Sequence, residues 1–196
     1  MNDLFVLISA LLSLMFLGCG PGVEPQGELS TQQEKNIPPD DWSNGPWKNQ
    51  YPTAECVAVI DGDTVDLLID SNKTIRVRLA SIDAPEPGQP FGSAAQKMLS
   101  ELISGKKVRY DMARPDKEGR GLAFLYVGID GKPTDVNLQL VVAGLAWPAD
   151  SQSPDAVYTT NYKSARQAKR GLFADSRYVE PWEWRKLSEV EKEKLR

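Results

Sequence analysis

Residues 59–81 read VIDGDTVDLLIDSNKTIRVRLAS. The runs TVDLLID (64–70) and KTIRVRLAS (73–81) are separated by Ser71-Asn72. Two runs rich in apolar and β-branched residues with a two-residue polar break predict a β-hairpin. In the second run Ile75, Val77 and Leu79 alternate with Arg76 and Arg78, so a strand there sends the first set one way and the arginines the other. Just upstream, Asp61 and Asp63 flank Gly62 between apolar residues. Acidic side chains disfavour strands. The DGD segment is therefore either a plain turn or a site for a cation, with Gly62 letting the chain bend.

Upstream of the hairpin, a first strand is predicted over about Cys56–Ile60. SAAQKMLSELISGK (93–106) reads as a helix, with Ser93 and Gln96 as a capping box, Ala95, Met98, Leu99 and Leu102 as its apolar stripe and Gly105 as its stop. KVRYDMA (107–113) and RGLAFLYV (120–127) read as strands joined by RPDKEG. TDVNLQLVVAG (134–144) reads as a helix capped by Thr134 and ended by Gly144. SPDAVYTTNYKSARQAKRG (153–171) reads as another, with Ser153 as cap, Pro154 at the first position and Gly171 at the end. EVEKEKLR (189–196) is a charged helical tail with a solvated face. Five short strands interleaved with about three helices predict an α+β domain, and a five-stranded OB-fold barrel fits the strand count.

The chain has 196 residues and no histidine. That excludes Ser-His-Asp and Cys-His chemistry and weakens any zinc or iron reading. An active site here would use carboxylates, Arg, Lys, Tyr or a hard cation. Residues 1–53 hold six acidic and two basic side chains, whereas 54–186 hold eighteen of each. The net charge of −4 thus belongs to the N-terminal portion, and no bulk basic field captures nucleic acid.

That N-terminal portion has its own logic. Leu4–Leu17 is an apolar run interrupted only by two serines, too short to span a bilayer and of the length of a secretory h-region. It ends in FLGCG, where Gly18-Cys19 is similar to the lipobox of bacterial lipoproteins, although Phe16 replaces the usual Leu and MND carries no positive charge. The expectation is a signal peptide (1–18), lipid on Cys19, and a Pro-, Gly- and Gln-rich linker (19–53) spanning roughly 30 Å. The domain would follow at 54–186, with a tail at 187–196. Such a chain is exported and held at a membrane surface in the bacterial cell envelope. A plain signal peptide would make it secreted. Cys56, in the apolar run ECVAVI, is expected to be a buried inert thiol.

Four polar residues lack an obvious fold role. Arg78, Asp83 and Glu86 cluster where VRLAS meets IDAPE, and Pro85 forces Ala84 into an extended or turn conformation. Arg120 sits between Gly119 and Gly121 at a strand start. Each segment alone is weak, and a surface ion pair explains the first as well.

Together, VIDGDTV, VRLASIDAPE and DKEGRGLAFLY resemble, in order and spacing, the staphylococcal (micrococcal) nuclease-like family. VNLQLVVAGLAW, YKSARQAKRGLF and PWEWRK are similar to later segments of that family. The resemblance covers about Cys56–Lys186 and implies an OB-fold barrel with packed helices and Ca²⁺-dependent hydrolysis of DNA or RNA by a monomer. Position by position it implies Asp63, Asp83 and the Ala84 carbonyl as calcium ligands, with Asp61 behind them. It implies Arg78 and Arg120 as phosphate-gripping arginines, Glu86 as general base and Lys117 as a substrate contact. Glu118 departs from an aromatic often found there, WPADSQSPD offers no match to the substrate-side tyrosines, and PFGSAAQKM lacks a Glu after its Gly. Two further readings stay open: an OB module that binds single strands without cleaving them, and a calcium-stabilised envelope protein with another role.

Overall fold

The computed structural model describes residues 51–70, 72–115, 121–129, 132–149 and 156–196, without the side chains of residues 70, 113–115 and 132. All lie within one compact unit, Lys35–Arg196. The leader, Cys19, Lys117, Glu118, Arg120, Ser153 and Pro154 lie outside the described residues.

The hairpin forms as the alternation demands. Strands β2 (Thr64–Asp70) and β3 (Lys73–Leu79) pair antiparallel, with Asp70 opposite Lys73 and two residues between them. Val65, Leu67, Val77 and Leu79 are fully buried, while Arg76 is exposed and pairs with Asp66 across the strands at 2.8 Å. Strand β1 (Thr53–Val59) flanks β2. On its other side β1 pairs with Lys107–Pro115, a strand that in turn pairs with Gly121–Ile129.

With the short strand β4 (Ile82–Asp83) counted in chain order, Lys107–Pro115 is β5 and Gly121–Ile129 is β6. The sheet runs β3-β2-β1-β5-β6, and β6 returns to pair in parallel with β3 through Val77↔Gly121 to Leu79↔Ala123. That last pairing closes a five-stranded barrel, the OB-type architecture the sequence predicts. Closure removes both edges of the sheet. Strand β7 (Lys132–Asp135) extends β6 beyond the barrel.

Helices cover the barrel. Helix α1 (Gly92–Ile103) buries Ala95, Leu99 and Ile103, and α2 (Val136–Val142) buries Val136, Leu140 and Val141 in the same core. Burying each such leucine or valine contributes about 1.5–3 kcal/mol. Strand β8 (Trp147–Pro148) pairs with β4. A second apolar cluster forms around Trp147, from Ala165 of α3 (Ala156–Gln167) and Leu172 and Phe173 of a 3-10 turn (Gly171–Ala174). The chain ends in the short helices α4 (Pro181–Trp184) and α5 (Glu189–Glu193).

Several local expectations need correction. Helix α1 is capped two residues earlier than expected, at Phe91, which has φ 68° and no side-chain cap bond. Its capping box does not form, because the Gln96 amide instead donates to the carbonyls of Val59 and Ile60. Asp135, not Thr134, caps α2, accepting from the Leu138 amide at 3.0 Å; it is the last residue of β7 and directly precedes Val136. Helix α3 ends at Gln167, and Lys169, with φ 52°, makes the left-handed turn before Gly171 is reached. The charged tail carries a complete capping box between Ser188 and Glu191, and the Arg196 guanidinium donates to the Gly88 carbonyl at 3.1 Å, so it packs on the fold. Cys56 is buried as expected; its thiol donates to the Ala58 carbonyl at 3.6 Å and burial pushes its pKa up.

Candidate active site

The DGD segment is a turn, and it also delivers a carboxylate into the fold. Asp61 accepts from the Asp63 amide at 2.9 Å, which tightens the bend. Gly62 has no positive φ. Its lack of a side chain serves packing: a Cβ there would sit 2.7 Å from the Cβ atoms of both Ala84 and Ala95. The expectation that glycine serves backbone bending is therefore corrected to close approach. Gln96 of α1 holds the same turn by its bonds to Val59 and Ile60.

Asp63 is 3 % exposed. One carboxylate oxygen accepts from the Ala84 amide at 2.8 Å, and the other accepts from the Thr64 hydroxyl at 3.2 Å. The Asp63 carbonyl also accepts from the Leu79 amide at 2.8 Å, locking the turn to the end of β3. Thr64 stands opposite Arg78 in the hairpin register. Arg78 therefore meets Asp63, its Nη2 lying 3.1 Å from Oδ2.

After β3 the chain reverses at Ser81, a non-glycine residue with φ 61°, and brings β4 back beneath Arg78. The same Arg78 Nη2 donates to Asp83 Oδ1 at 2.7 Å. Asp63 and Asp83 thus converge on one nitrogen, from segments twenty residues apart. The alternative of a loose surface ion pair is excluded by burial: the side chains of Arg78 and Asp83 are 18 % and 7 % exposed.

Glu86 follows on a loop built around Gln89. The Glu86 amide donates to Gln89 Oε1 at 3.0 Å, and Gln89 Nε2 donates to the Val179 carbonyl at 2.6 Å. Gly92 starts α1 against this loop, since a Cβ there would lie 2.4 Å from the Glu86 carbonyl oxygen. The Glu86 carboxylate is half-buried and accepts from Arg185 Nη1.

Sequence reasoning missed Arg185. It is the fifth residue of PWEWRK, and nothing in local spacing indicates a partner 102 residues upstream. Its Nη1 and Nη2 donate to the two Asp83 oxygens at 3.2 and 2.6 Å, and these bonds hold the guanidinium firmly charged. Asn137 was missed as well. Fully buried on α2, it donates to the Ala80 and Ala123 carbonyls and accepts from the Leu125 amide, pinning the end of β3 where the site loop begins.

The electrostatics are unusual at one point. Burial pushes the Asp63 carboxyl up to about 7, against the opposing pull of Arg78 and the Ala84 amide and with a further push from Asp61 and Asp83. A buried carboxylate so incompletely compensated attracts a cation. The side-chain donor set around it is all oxygen, which suits a hard ion. No group of three or more His, Cys, Asp or Glu side chains suited to a metal occurs among the described residues. A cation here would be held by two carboxylates, Asp63 and Asp83, and by a backbone carbonyl such as that of Ala84, completed by water. Gly121, the residue after Arg120, pairs with Val77 beside Arg78.

A closed five-stranded barrel with two buried aspartates paired to partly exposed arginines at the β3–β4 turn defines an OB-type domain with a polar, histidine-free site. Residues 76–175 match the family described as SNase, Staphylococcal nuclease homologue, and the chain belongs to it. It is 38 % identical over 138 residues to an "Uncharacterized endonuclease" of Haemophilus influenzae, covering 70 % of this chain and 75 % of that protein. It is 39 % identical over 141 residues to a "Micrococcal nuclease" of Shigella flexneri, covering 68 % and 80 %. An "Uncharacterized endonuclease" of Escherichia coli O157:H7 is 41 % identical over 129 residues, covering 66 % and 82 %.

Proposed function

We propose that this chain is a calcium-dependent nuclease, hydrolysing phosphodiester bonds of DNA, RNA or both. The observation that carries the reading is the convergence of Asp63 and Asp83 on Arg78, with Glu86 on the adjoining loop. Family membership and the nuclease names of relatives support the substrate class.

In this reading Asp63, Asp83 and the Ala84 carbonyl hold the ion, and Asp61 keeps the turn that aims Asp63. Bound there, calcium would neutralise charge on the phosphate and polarise a water molecule. A phosphodiester repels nucleophiles, and charge accumulates on its oxygens during attack. Arg78, and Arg120 by resemblance, would grip those oxygens in the bidentate geometry that lysine lacks. One such preorganised donor typically contributes about 3–4 kcal/mol in the transition state. Glu86 would take the proton from the attacking water, and Lys117 would contact the substrate. A carboxylate is a weak base, so the whole set is needed together.

We further propose that the protein is a monomer, exported and tethered through lipid on Cys19 by a flexible linker. No helix among the described residues is long and apolar enough to cross a membrane. Fatty-acid labelling of the expressed chain tests the tether: label lost in Cys19→Ser supports it, and label retained refutes it. The catalytic reading is tested by incubating labelled DNA and RNA with Ca²⁺ or EDTA. Binding without cleavage would favour a non-catalytic OB module.

A further inference from the structure

Arg185 is placed oddly for a residue of a terminal helix. Trp184, its neighbour, is buried and fixes α4, while the Arg185 side chain turns to the site and remains 42 % exposed. It contacts two carboxylates at once, Asp83 and Glu86. Each carboxylate oxygen offers two lone pairs. Asp83 Oδ1 already accepts from Arg78 and Arg185, and Oδ2 accepts from Arg185.

A divalent ion that binds Asp83 through Oδ1 therefore has to displace a guanidinium, and one that approaches the remaining lone pair of Oδ2 meets the Arg185 charge bonded to the same oxygen. Arg78 is the less movable of the two: it is more deeply buried, sits on the barrel strand β3, and bridges Asp63 as well as Asp83. Arg185 hangs from the end of a four-residue helix and reaches the site from outside. A guanidinium beside a divalent cation would also be repelled strongly in a partly dry site.

We infer that Arg185 is a resident cation of the site, which a divalent ion must expel from Asp83 before the site is filled. Seated, it neutralises the converging carboxylates and occupies Glu86. Expelled, it leaves Asp83 open and frees Glu86. Arg185 is thus a positioning residue that sets metal affinity and couples it to the release of the proposed base. This inference rests on the cation reading of the site given above.

The test is calorimetric titration of the purified full chain with Ca²⁺ alone, without nucleic acid, alongside thermal melts with and without the ion. Arg185→Gln should bind Ca²⁺ about tenfold more tightly than the parent, within the range usual for coupled sites. Its metal-free melting temperature should fall, and saturating Ca²⁺ should restore it to the parent value. Arg185→Lys keeps the charge but cannot fork across two carboxylates, so its affinity should lie between the two. Equal or weaker binding by Arg185→Gln, with the parent still binding, overturns the resident-cation role and leaves the site reading standing. No binding by parent or variants at millimolar Ca²⁺ overturns both.

Discussion

Asp83 and Arg185, 102 positions apart, meet as a two-point ion pair with bonds of 2.6 and 3.2 Å. The pair ties the C-terminal helices to the β3–β4 turn, so the site is assembled from the barrel and from a segment outside it. Trp147 makes this possible. Its backbone pairs with Asp83, and its ring anchors Phe173, Tyr178 and Trp182 beside it.

Arg78→Lys keeps a positive charge between Asp63 and Asp83 but loses the planar fork. Cleavage should fall about 10²- to 10³-fold, the usual loss on removing one transition-state donor. The melting temperature should move by only a few degrees. Steady-state kinetics beside a thermal melt checks this, and an unchanged kcat would remove Arg78 from the chemistry.

Asp63 sets a pH dependence in the metal-free protein. Its carboxyl is raised from 3.8 to about 7, so the folded state holds this proton more tightly than the unfolded chain does. The stability this contributes is present in full below about pH 4 and is lost as pH rises through about 7. Asp63→Asn should therefore be the more stable protein at pH 8 without metal, with its advantage fading toward pH 4. The amide can keep the Ala84 contact while the Thr64 hydroxyl turns to accept. Chemical denaturation across this range in EDTA would expose an error as a flat difference between the two proteins.

Asn137→Ala should cost about 2–4 kcal/mol, because it strands buried partners such as the Ala80 carbonyl. Activity should fall further than stability explains at temperatures where the protein is still folded, since the Ala80–Asp83 turn loses its anchor. Urea unfolding and specific activity on one preparation separate the two effects.

Gly62→Ala places a methyl 2.7 Å from the side chains of Ala84 and Ala95. Overpacking of this kind costs about 1–3 kcal/mol. Ala95→Gly in the same chain should recover part of the loss by opening space on one side, despite its own helix penalty. Absence of any recovery in the double variant would mean the strain lies elsewhere.

Much of this was legible in the sequence for physical reasons. Alternation along Ile75–Leu79 and the Ser71-Asn72 break specify the hairpin, and the hairpin register alone brings Arg78 to Asp63. The barrel was legible from the strand count and the family resemblance, whereas the closing pair Val77↔Gly121 left no local period, because it joins distant strands. Caps were misread where a side chain had a better partner, as Gln96 has in the Val59 and Ile60 carbonyls. Arg185 and Asn137 were hidden for the same reason: their partners lie across the fold. A glycine was read as a hinge where the structure uses it as a gap.

Glu86, beside the carboxylates proposed to hold the ion, is the proposed activator of water for phosphodiester cleavage. The most direct measurement is the cleavage rate of end-labelled DNA and RNA by the parent chain and by Glu86→Gln, with Ca²⁺ and with EDTA. Rapid cleavage by the parent in Ca²⁺, none in EDTA, and a loss of at least about 10²-fold in the folded Glu86→Gln chain is the predicted result. Full turnover by Glu86→Gln, or cleavage indifferent to EDTA, would contradict it.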